Sequence, residues 1–375
     1  MKVLVFGLSG QYGGVESFIA SQVSALYKFD SSFSFDYVVF DGIPSYFEKL
    51  QVSSDVNFHV IPSRWLHPIK YLRALKRIFD ENEYDLLWYN VCTLSDISLL
   101  KYAYVHHVPC VVHSHNSENM GNWVNSLLHR IHRQFISGCS VGYLACSDEA
   151  GRFMFPDWGS GRHGETVVPN AIDVAHFSFS AGARQAMRKR MGISNQEILI
   201  GNVGRLHFQK NQLFLLDIFQ ELYRELPNAR LVIVGSGSLE SSLRNRASSI
   251  GDGERVIFIT DCNDASEYYS AMDCFLFPSL FEGFGIAALE AQCSGLCCAM
   301  STGVCPDVVI LDTTKRVSLN ASAKEWAEAV IALLELSVNV SRSEARDIMM
   351  QTRFNLDNST SFLSNLLTDF SCESR

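Results

Sequence analysis

Glu282 and Glu290 are two carboxylates with seven residues between them, and those seven give the pair its chemical meaning. The segment reads Phe281-Glu-Gly-Phe-Gly-Ile-Ala-Ala-Leu-Glu290 and follows the apolar run Cys274-Phe-Leu-Phe-Pro278. That run predicts a short buried parallel strand, stopped by Pro278. Ile286 to Ser294 predicts a helix, with Gly295 placed to end it. Glu282 then falls in the strand-to-helix loop and Glu290 about one turn inside the helix. Between them, the free backbone N–H groups near Gly285, Ile286 and Ala287 and the helix dipole favour an anion. Carboxylates flanking a phosphate-sized anion site suit a ligand with hydroxyls at both ends and charge in the middle, such as ribose, diphosphate and hexose in one molecule. Each piece alone admits a plainer reading. A Glu one turn into a helix is ordinarily solvated, and Glu282 before a Gly is equally turn chemistry.

A second constellation is cationic. Gly204-Arg-Leu-His-Phe-Gln-Lys-Asn211 puts Arg205 and Lys210 in one loop between a strand opening at Ile198 and a helix over Leu213–Leu226. Paired cations on such a loop suit a diphosphate, whose charge needs partners in a desolvated site; a solvated charged loop is the alternative. In the first half, His113-Ser-His115 ends an apolar run at the carboxyl edge of a predicted strand, where ligands of open α/β sheets bind. The chain opens with a strand (Val3–Phe6), a glycine loop (Gly7–Gly14) and an amphipathic helix (Val15–Leu26). The glycine spacing is not G-x-G-x-x-G and no acidic residue follows for an adenosine ribose, so a dinucleotide is discounted. Gly13-Gly14 either lets the backbone approach a ligand or makes a tight turn requiring positive φ.

These loops hang on alternating strands and helices: Phe35–Phe40, Asn57–Ile61, Ile69–Phe79, Tyr84–Tyr89, Cys110–His113 and Val141–Ser147. Repeated βα units predict doubly wound parallel sheets. With 375 residues, 47% of them hydrophobic, the chain can bury two cores. A net charge of −9 argues against nucleic acid as a bulk partner. The eleven cysteines lack metal-ligand spacing, and several sit in apolar runs, which reads as a reduced cytoplasmic thiol set with no metal site. No run approaches about 18 apolar residues, so no spanning segment is expected. Arg64 to Phe79 is a basic amphipathic helix with Ile69, Leu72, Leu75 and Phe79 on one stripe and Lys70, Arg73, Lys76 and Arg77 elsewhere. It reads as an ordinary sheet-covering helix or as a peripheral contact with an anionic inner-membrane leaflet.

Asp273 to Leu296 resembles the E-x7-E signature of retaining GT-B glycosyltransferases of family four, and Gly204 to Asn211 resembles that family's G-R-x-x-x-Q-K-N element. The resemblance covers nearly the whole chain, is densest over 140–330, and is nearest the branch of capsular and exopolysaccharide assembly. It implies an α/β chain of GT-B fold, two Rossmann-like domains facing a cleft. The first, 1–178, would be the acceptor side. The second, 179–375, would hold the donor, with a tail helix of about 355–370 packing back on the first. By the same resemblance, Arg205 and Lys210 neutralise the leaving nucleoside diphosphate, Glu290 holds ribose hydroxyls, Glu282 orients the transferred sugar, and His115 contacts the donor sugar or its phosphate. Gly13 and Gly14 line the first loop. No metal or cofactor is implied; the donor is a nucleotide-diphosphate sugar, with uridine as the expected base, and the acceptor a glycan or lipid-linked oligosaccharide. Asn170 and Asp173 are expected to fix a turn.

The sequence departs from the family at Thr260-Asp261, where relatives have Gly near the nucleobase, and at Gly295-Leu-Cys-Cys298, where they have Gly-Leu-Pro. Two rivals share the fold: a nucleotide-sugar epimerase, which would turn over without acceptor, and a non-catalytic paralogue that binds sugar nucleotide or a partner enzyme. Retention of Arg205, Lys210, Glu282 and Glu290 together argues against the second.

Overall fold

The apolar runs separated by helical periods build two parallel sheets in the structure, a computed structural model that describes residues 1–10, 13–44, 56–116, 123–251, 253–262, 264–337 and 341–372. Met1–Ala171 and Leu356–Arg375 form one compact unit, Ile172–Asn355 the other. Among the described residues, the first unit carries β1 (Lys2–Phe6), β2 (Ser34–Phe40), β3 (Asn57–Ile61), β4 (Leu86–Val91), β5 (Cys110–Ser114), β6 (Gly142–Ala145) and β7 (Thr166–Val167). Its helices are α1 (Gly14–Phe29), α2 (Pro68–Glu81), α3 (Ser98–Val105), α4 (Trp123–His132) and α5 (Asp148–Met154). The second unit carries α6 (Val174–Phe177), α7 (Ala181–Arg190), α8 (Gln212–Glu225), α9 (Glu240–Ala247), α10 (Ser266–Ala271), α11 (Ile286–Cys293), α12 (Ala323–Ser337) and α13 (Glu344–Met350). Its strands are β8 (Ile198–Val203), β9 (Ala229–Val234), β10 (Val256–Ile259), β11 (Cys274–Phe277), β12 (Cys297–Ser301) and β13 (Thr314–Val317). A last helix, α14 (Leu356–Cys372), belongs to the first unit.

Strand order is β3-β2-β1-β4-β5-β6-β7 in one sheet and β10-β9-β8-β11-β12-β13 in the other, every pair parallel. Both faces of each sheet are covered: Leu4 packs into one core while Val3 and Val5 pack into the opposite one. That is why the strands read as continuous apolar runs rather than alternations. Each unit lays strands outward on one side of its first strand, then returns to start the other side. The return makes a switch point between β1 and β4, and another between β8 and β11. Loops leaving the carboxyl ends of those strands are where such a sheet binds ligand.

Two expectations change, and the tail helix expected to pack back on the first domain does so. The boundary falls after Ala171 rather than at 178, because Ile172 and Val174 are buried in the second unit's core and Ile172 pairs with Asn355. The tail from Leu356 leaves the second unit altogether. Leu363, Leu367 and Phe370 enter a first-unit core, and Gln22 Nε2 on α1 donates to Ser359 Oγ at 2.9 Å. Phe370 lies where a side chain on Gly142 would sit, 2.3 Å from a Cβ built there, so that strand glycine is a seat for the tail. On α2 the buried face is Tyr71, Leu75, Ile78 and Phe79; Ile69 and Leu72, expected on the same stripe, are exposed. Spacing of 4, 7 and 8 from Tyr71 fits the helical period, and Tyr71 is held there by its hydroxyl, which donates to Asp96 Oδ2 at 2.7 Å. Among the described residues, no helix is long and apolar enough to cross a membrane, and all eleven cysteines are free thiols.

Candidate functional site

The loops at the second unit's switch point are stitched to one another by consecutive side chains. After β8 the chain passes Gly204 and Arg205 to a short turn ending at Asn211, whose φ of 55° and ψ of 36° are left-handed. From that turn Gln209 Nε2 donates to the Phe281 carbonyl at 3.0 Å, Lys210 Nζ to Glu282 Oε1 at 2.6 Å, and Asn211 Nδ2 to the Pro278 carbonyl at 3.2 Å. The Leu280 N–H returns a bond to the Gln209 carbonyl at 2.8 Å. Lys210 also lies 5.1 Å from the centre of the Phe277 ring at the end of β11. Its side chain folds back over Gly204, where a Cβ would stand 3.4 Å from Lys210 Cε. The glycine turn after β9 braces the loop from behind: a Cβ on Gly235 would meet the Gly204 carbonyl oxygen at 2.1 Å, and the Leu206 N–H donates to the Ser236 carbonyl at 2.9 Å.

The Lys210–Glu282 pair is largely shielded, with 18% and 8% of the two side chains exposed. The Glu282 N–H donates to the Gly303 carbonyl at 3.0 Å, so the loop after β12 is tied in as well. Arg205 sits on the same loop but is exposed, and its guanidinium has no hydrogen-bond or ion-pair partner among the described residues. Of the two expected cations, one is thus paired in the free protein and the other is unengaged.

Gly285 starts α11 at φ 106°, and a Cβ there would be 2.8 Å from Val304 Cγ1. Only glycine fits, and having no side chain it caps nothing. The first-turn N–H groups of Ile286 and Ala287, four and five residues after Glu282, therefore stand without a side-chain cap at the helix's positive end. Gly295 closes the helix at φ 67°, with its N–H donating to the Gln292 carbonyl at 2.8 Å.

Glu290 is half-buried, not solvated, and Tyr269 Oη on α10 donates to its Oε2 at 2.7 Å. Burial pushes the carboxyl up to about 7; the Tyr269 bond and the charges of His176 and Lys210 pull it down, while Asp264 adds to the rise. Tyr269 itself is fully buried, edge-on to Phe177 and Phe275. Nothing in its sequence neighbourhood marked it, since a Tyr in a short helix reads as core. Asp173 is a turn residue as expected, accepting the His176 N–H at 3.0 Å to cap α6.

In the first unit, Gly7 leaves β1 at φ 133°, with a Cβ there 2.7 Å from Asn90 Cβ on β4. Asn90 Oδ1 meets His115 Nε2 at 2.8 Å. His115 is 9% exposed and its neighbour His113 is fully buried, their rings 4.2 Å apart with Phe18 of α1 against both. Burial drives the His115 imidazole down to about 3 and holds His113 well below the usual imidazole range, so both are neutral at physiological pH. His115 can offer a ligand one remaining ring nitrogen but no charge. Gly13 is extended at φ −149° and Gly14 has no positive φ, which removes the tight-turn reading; a side chain on Gly14 would meet open space. Glu16, which the sequence did not single out, folds under the loop and accepts from the Ser9 N–H and hydroxyl. Gln11 and Tyr12 lie outside the described residues.

Against known proteins, residues 12–176 match the family model described as Glycosyltransferase Family 4, and residues 183–350 match Glycosyl transferases group 1. A Bacillus subtilis relative named glycosyltransferase EpsF is 27% identical over 335 residues, covering 88% of this chain and 87% of that one. An Escherichia coli relative, named UDP-Gal:alpha-D-GlcNAc-diphosphoundecaprenol alpha-1,3-galactosyltransferase, is 26% identical over 239 residues, 62% of each chain. Among solved structures, Anabaena HepE in complex with UDP superposes with a TM-score of 0.81 at 18% identity, covering 98% of this chain and 100% of that one. WaaG, a glycosyltransferase involved in lipopolysaccharide biosynthesis, gives a TM-score of 0.73 at 15% identity, covering 98% and 100%.

Proposed function

For a glycosyltransferase of GT-B fold that acts with a nucleotide sugar and carries a family 4 domain ahead of a group 1 domain, we propose retaining transfer of a hexose from a UDP-sugar to a glycan or lipid-linked acceptor in polysaccharide assembly. The observation that carries the reading is the Lys210–Glu282 pair on the loop that leads, four residues on, into the uncapped start of α11. Arg205, Lys210 and the N–H groups of Ile286 and Ala287 stabilise the departing diphosphate, the charge that grows as the anomeric bond breaks. Glu282 orients the transferred sugar, and Glu290 accepts from the ribose hydroxyls. The C1–O bond to the diphosphate breaks and the acceptor oxygen bonds C1 on the same face. The acceptor proton passes to a phosphate oxygen, so no protein nucleophile is required. His115 is assigned to the donor sugar or its phosphate, and Gly13 and Gly14 to the loop whose backbone approaches donor phosphate or acceptor. Cationic side chains and a helix terminus take the part a metal ion would otherwise play.

The lipid-linked acceptor is supported by exposed apolar surface in the first unit. Trp65, Leu66, Ile69 and Leu72 stand out beside Lys70, Arg73, Lys76 and Arg77. At intervals of four along and just past α4, Trp123, Leu127, Ile131 and Phe135 form a second exposed stripe, Trp123 at 77% exposure. No acidic residue occurs in 64–79 or in 123–147, although the chain is acidic overall. The test is to incubate the protein with UDP-glucose, UDP-galactose or UDP-N-acetylglucosamine and undecaprenyl-diphosphate-linked sugar, and to read the product's anomeric configuration by NMR. Inversion at C1 overturns the mechanism; turnover of the donor without acceptor favours an epimerase.

A further inference from the structure

We propose that Tyr269 is a positioning residue that holds Glu290 in register to receive the ribose of the nucleotide donor. The inference rests on the reading of Glu290 as the ribose-binding carboxylate. Tyr269 Oη reaches Glu290 Oε2 at 2.7 Å and has no other hydrogen-bond partner among the described residues. Glu290 Oε1 has none at all among them, so one oxygen is fixed by the protein and the other is left for a ligand. The phenol cannot turn away: its ring is fully buried between Phe177 and Phe275, and the Arg342 guanidinium donates to the Tyr269 carbonyl at 2.9 Å. A buried phenol whose single polar bond goes to a half-exposed carboxylate is aimed, since a residue serving the core alone would be Phe.

The bond also sets the charge of Glu290. The groups acting on that carboxyl are Tyr269 on α10, Asp264 in the loop before α10, His176 on α6 and Lys210 in the β8–α8 loop, while Cys293 one turn further along α11 feels it in turn. Ribose hydroxyls donate, so the ionised form is the one that binds them. Its population rises as pH passes about 7. Without the Tyr269 bond the carboxyl titrates higher, and the same ionisation is reached only at more alkaline pH.

The measurement is the ratio of Kd values for 2′,3′-dideoxy-UDP and UDP between pH 6 and 9, with the GDP pair used instead if GDP shifts the melting temperature more. Titration of the diphosphate is common to both ligands and cancels in the ratio. Wild type is expected to prefer the ribose form by ~10²-fold above neutrality, about tenfold for each hydroxyl bonded to a carboxylate. Glu290→Gln should reduce the preference to a few-fold at every pH. Tyr269→Phe should reduce it to below ~10-fold at pH 7 and recover most of it by pH 9. Replacement of Tyr269 by 3,5-difluorotyrosine, a stronger donor of nearly the same shape, should move the midpoint of the ratio to lower pH. It keeps the test open if the Phe variant does not fold. A wild type without preference sinks the reading of Glu290 itself. A preference lost in Glu290→Gln but unchanged in magnitude and midpoint in both Tyr269 variants overturns the role given to Tyr269.

Discussion

Arg205 and Lys210 carry the same charge on the same loop, yet they should behave differently when removed. Lys210 Nζ is 2.6 Å from Glu282 Oε1 with both side chains mostly shielded. At an effective dielectric of about 20, the attraction at that distance is about 6 kcal/mol. Desolvation of the two groups cancels most of it. Lys210→Ala leaves Glu282 shielded and unpaired, and because solvent still reaches both groups the expected cost is about 2 kcal/mol rather than the larger figure for a fully buried pair. For a unit of this size that lowers the melting temperature by roughly 4–8 °C. Arg205→Ala removes an exposed side chain with no partner among the described residues and should leave the melting temperature within about 1 °C.

Activity should not follow stability. Each cation is assigned to the departing diphosphate, and removing one group that stabilises developing charge costs ~10² to 10³ in kcat. Both variants should therefore lose about that much, one with a lowered melting temperature and one without. Initial rates of UDP release and scanning calorimetry on the same preparations give the two readings. The pair Lys210→Met with Glu282→Gln should recover melting temperature without recovering rate, because the stranded carboxylate is gone while the cation is still missing. Near-wild-type turnover in both single variants would falsify the assignment. A loss confined to Lys210→Ala would make Arg205 a surface charge.

Three further outcomes follow from the same geometry. Excess EDTA should leave initial rates largely intact; complete loss restored by magnesium or manganese would show that side chains and the α11 terminus do not suffice to neutralise the diphosphate. Gly285→Ala should lower stability by about 1–2 kcal/mol, since φ of 106° and the contact with Val304 admit no Cβ, and should weaken UDP binding by tilting the first-turn N–H groups; unchanged melting and unchanged Kd by titration would remove the anion site from α11. Vesicles with anionic lipid should cosediment the wild type at low salt, at ~1 kcal/mol per basic residue, and should lose a variant with Lys70, Arg73, Lys76 and Arg77 changed to Gln; equal binding to neutral lipid, or none, would make the helix plain sheet cover.

The fold was legible because a doubly wound sheet writes itself into sequence twice, as buried apolar strands and as helices of mixed polarity. Asn57–Ile61 is met residue for residue, and β11 and β12 flank the helix expected at Ile286. The failures lie where one polar contact outweighs a pattern. On α2, Ile69 and Leu72 are as apolar as Leu75 and Phe79, but the helix turns on the Tyr71–Asp96 bond and leaves them outside. The boundary moved from 178 to 171 because a four-residue helix, Val174–Phe177, has too little pattern of its own to show which core it joins. Only the buried Ile172 and Val174 settle that.

At the site the limit was of a different kind. Residue types reported which groups are present, and spacing reported which element each stands on, but neither says what is already engaged. Gln209, Lys210 and Asn211 read as a loop with one useful cation. In the fold all three side chains reach across to 278–282, so the cationic loop and the carboxylate loop are a single object. That changes the electrostatic argument. Under the proposed assignment, a dianionic diphosphate would not simply add a partner to Lys210; it would share that lysine with Glu282 or draw it away, releasing Glu282 to accept a sugar hydroxyl. One ion pair would then couple the two ends of the donor, its phosphate and its hexose. The coupling has a measurable consequence in the Kd for UDP. UDP alone, lacking the hexose, leaves Glu282 without a new donor and should be held more weakly by wild type than by Glu282→Gln, whose Lys210 is free from the start.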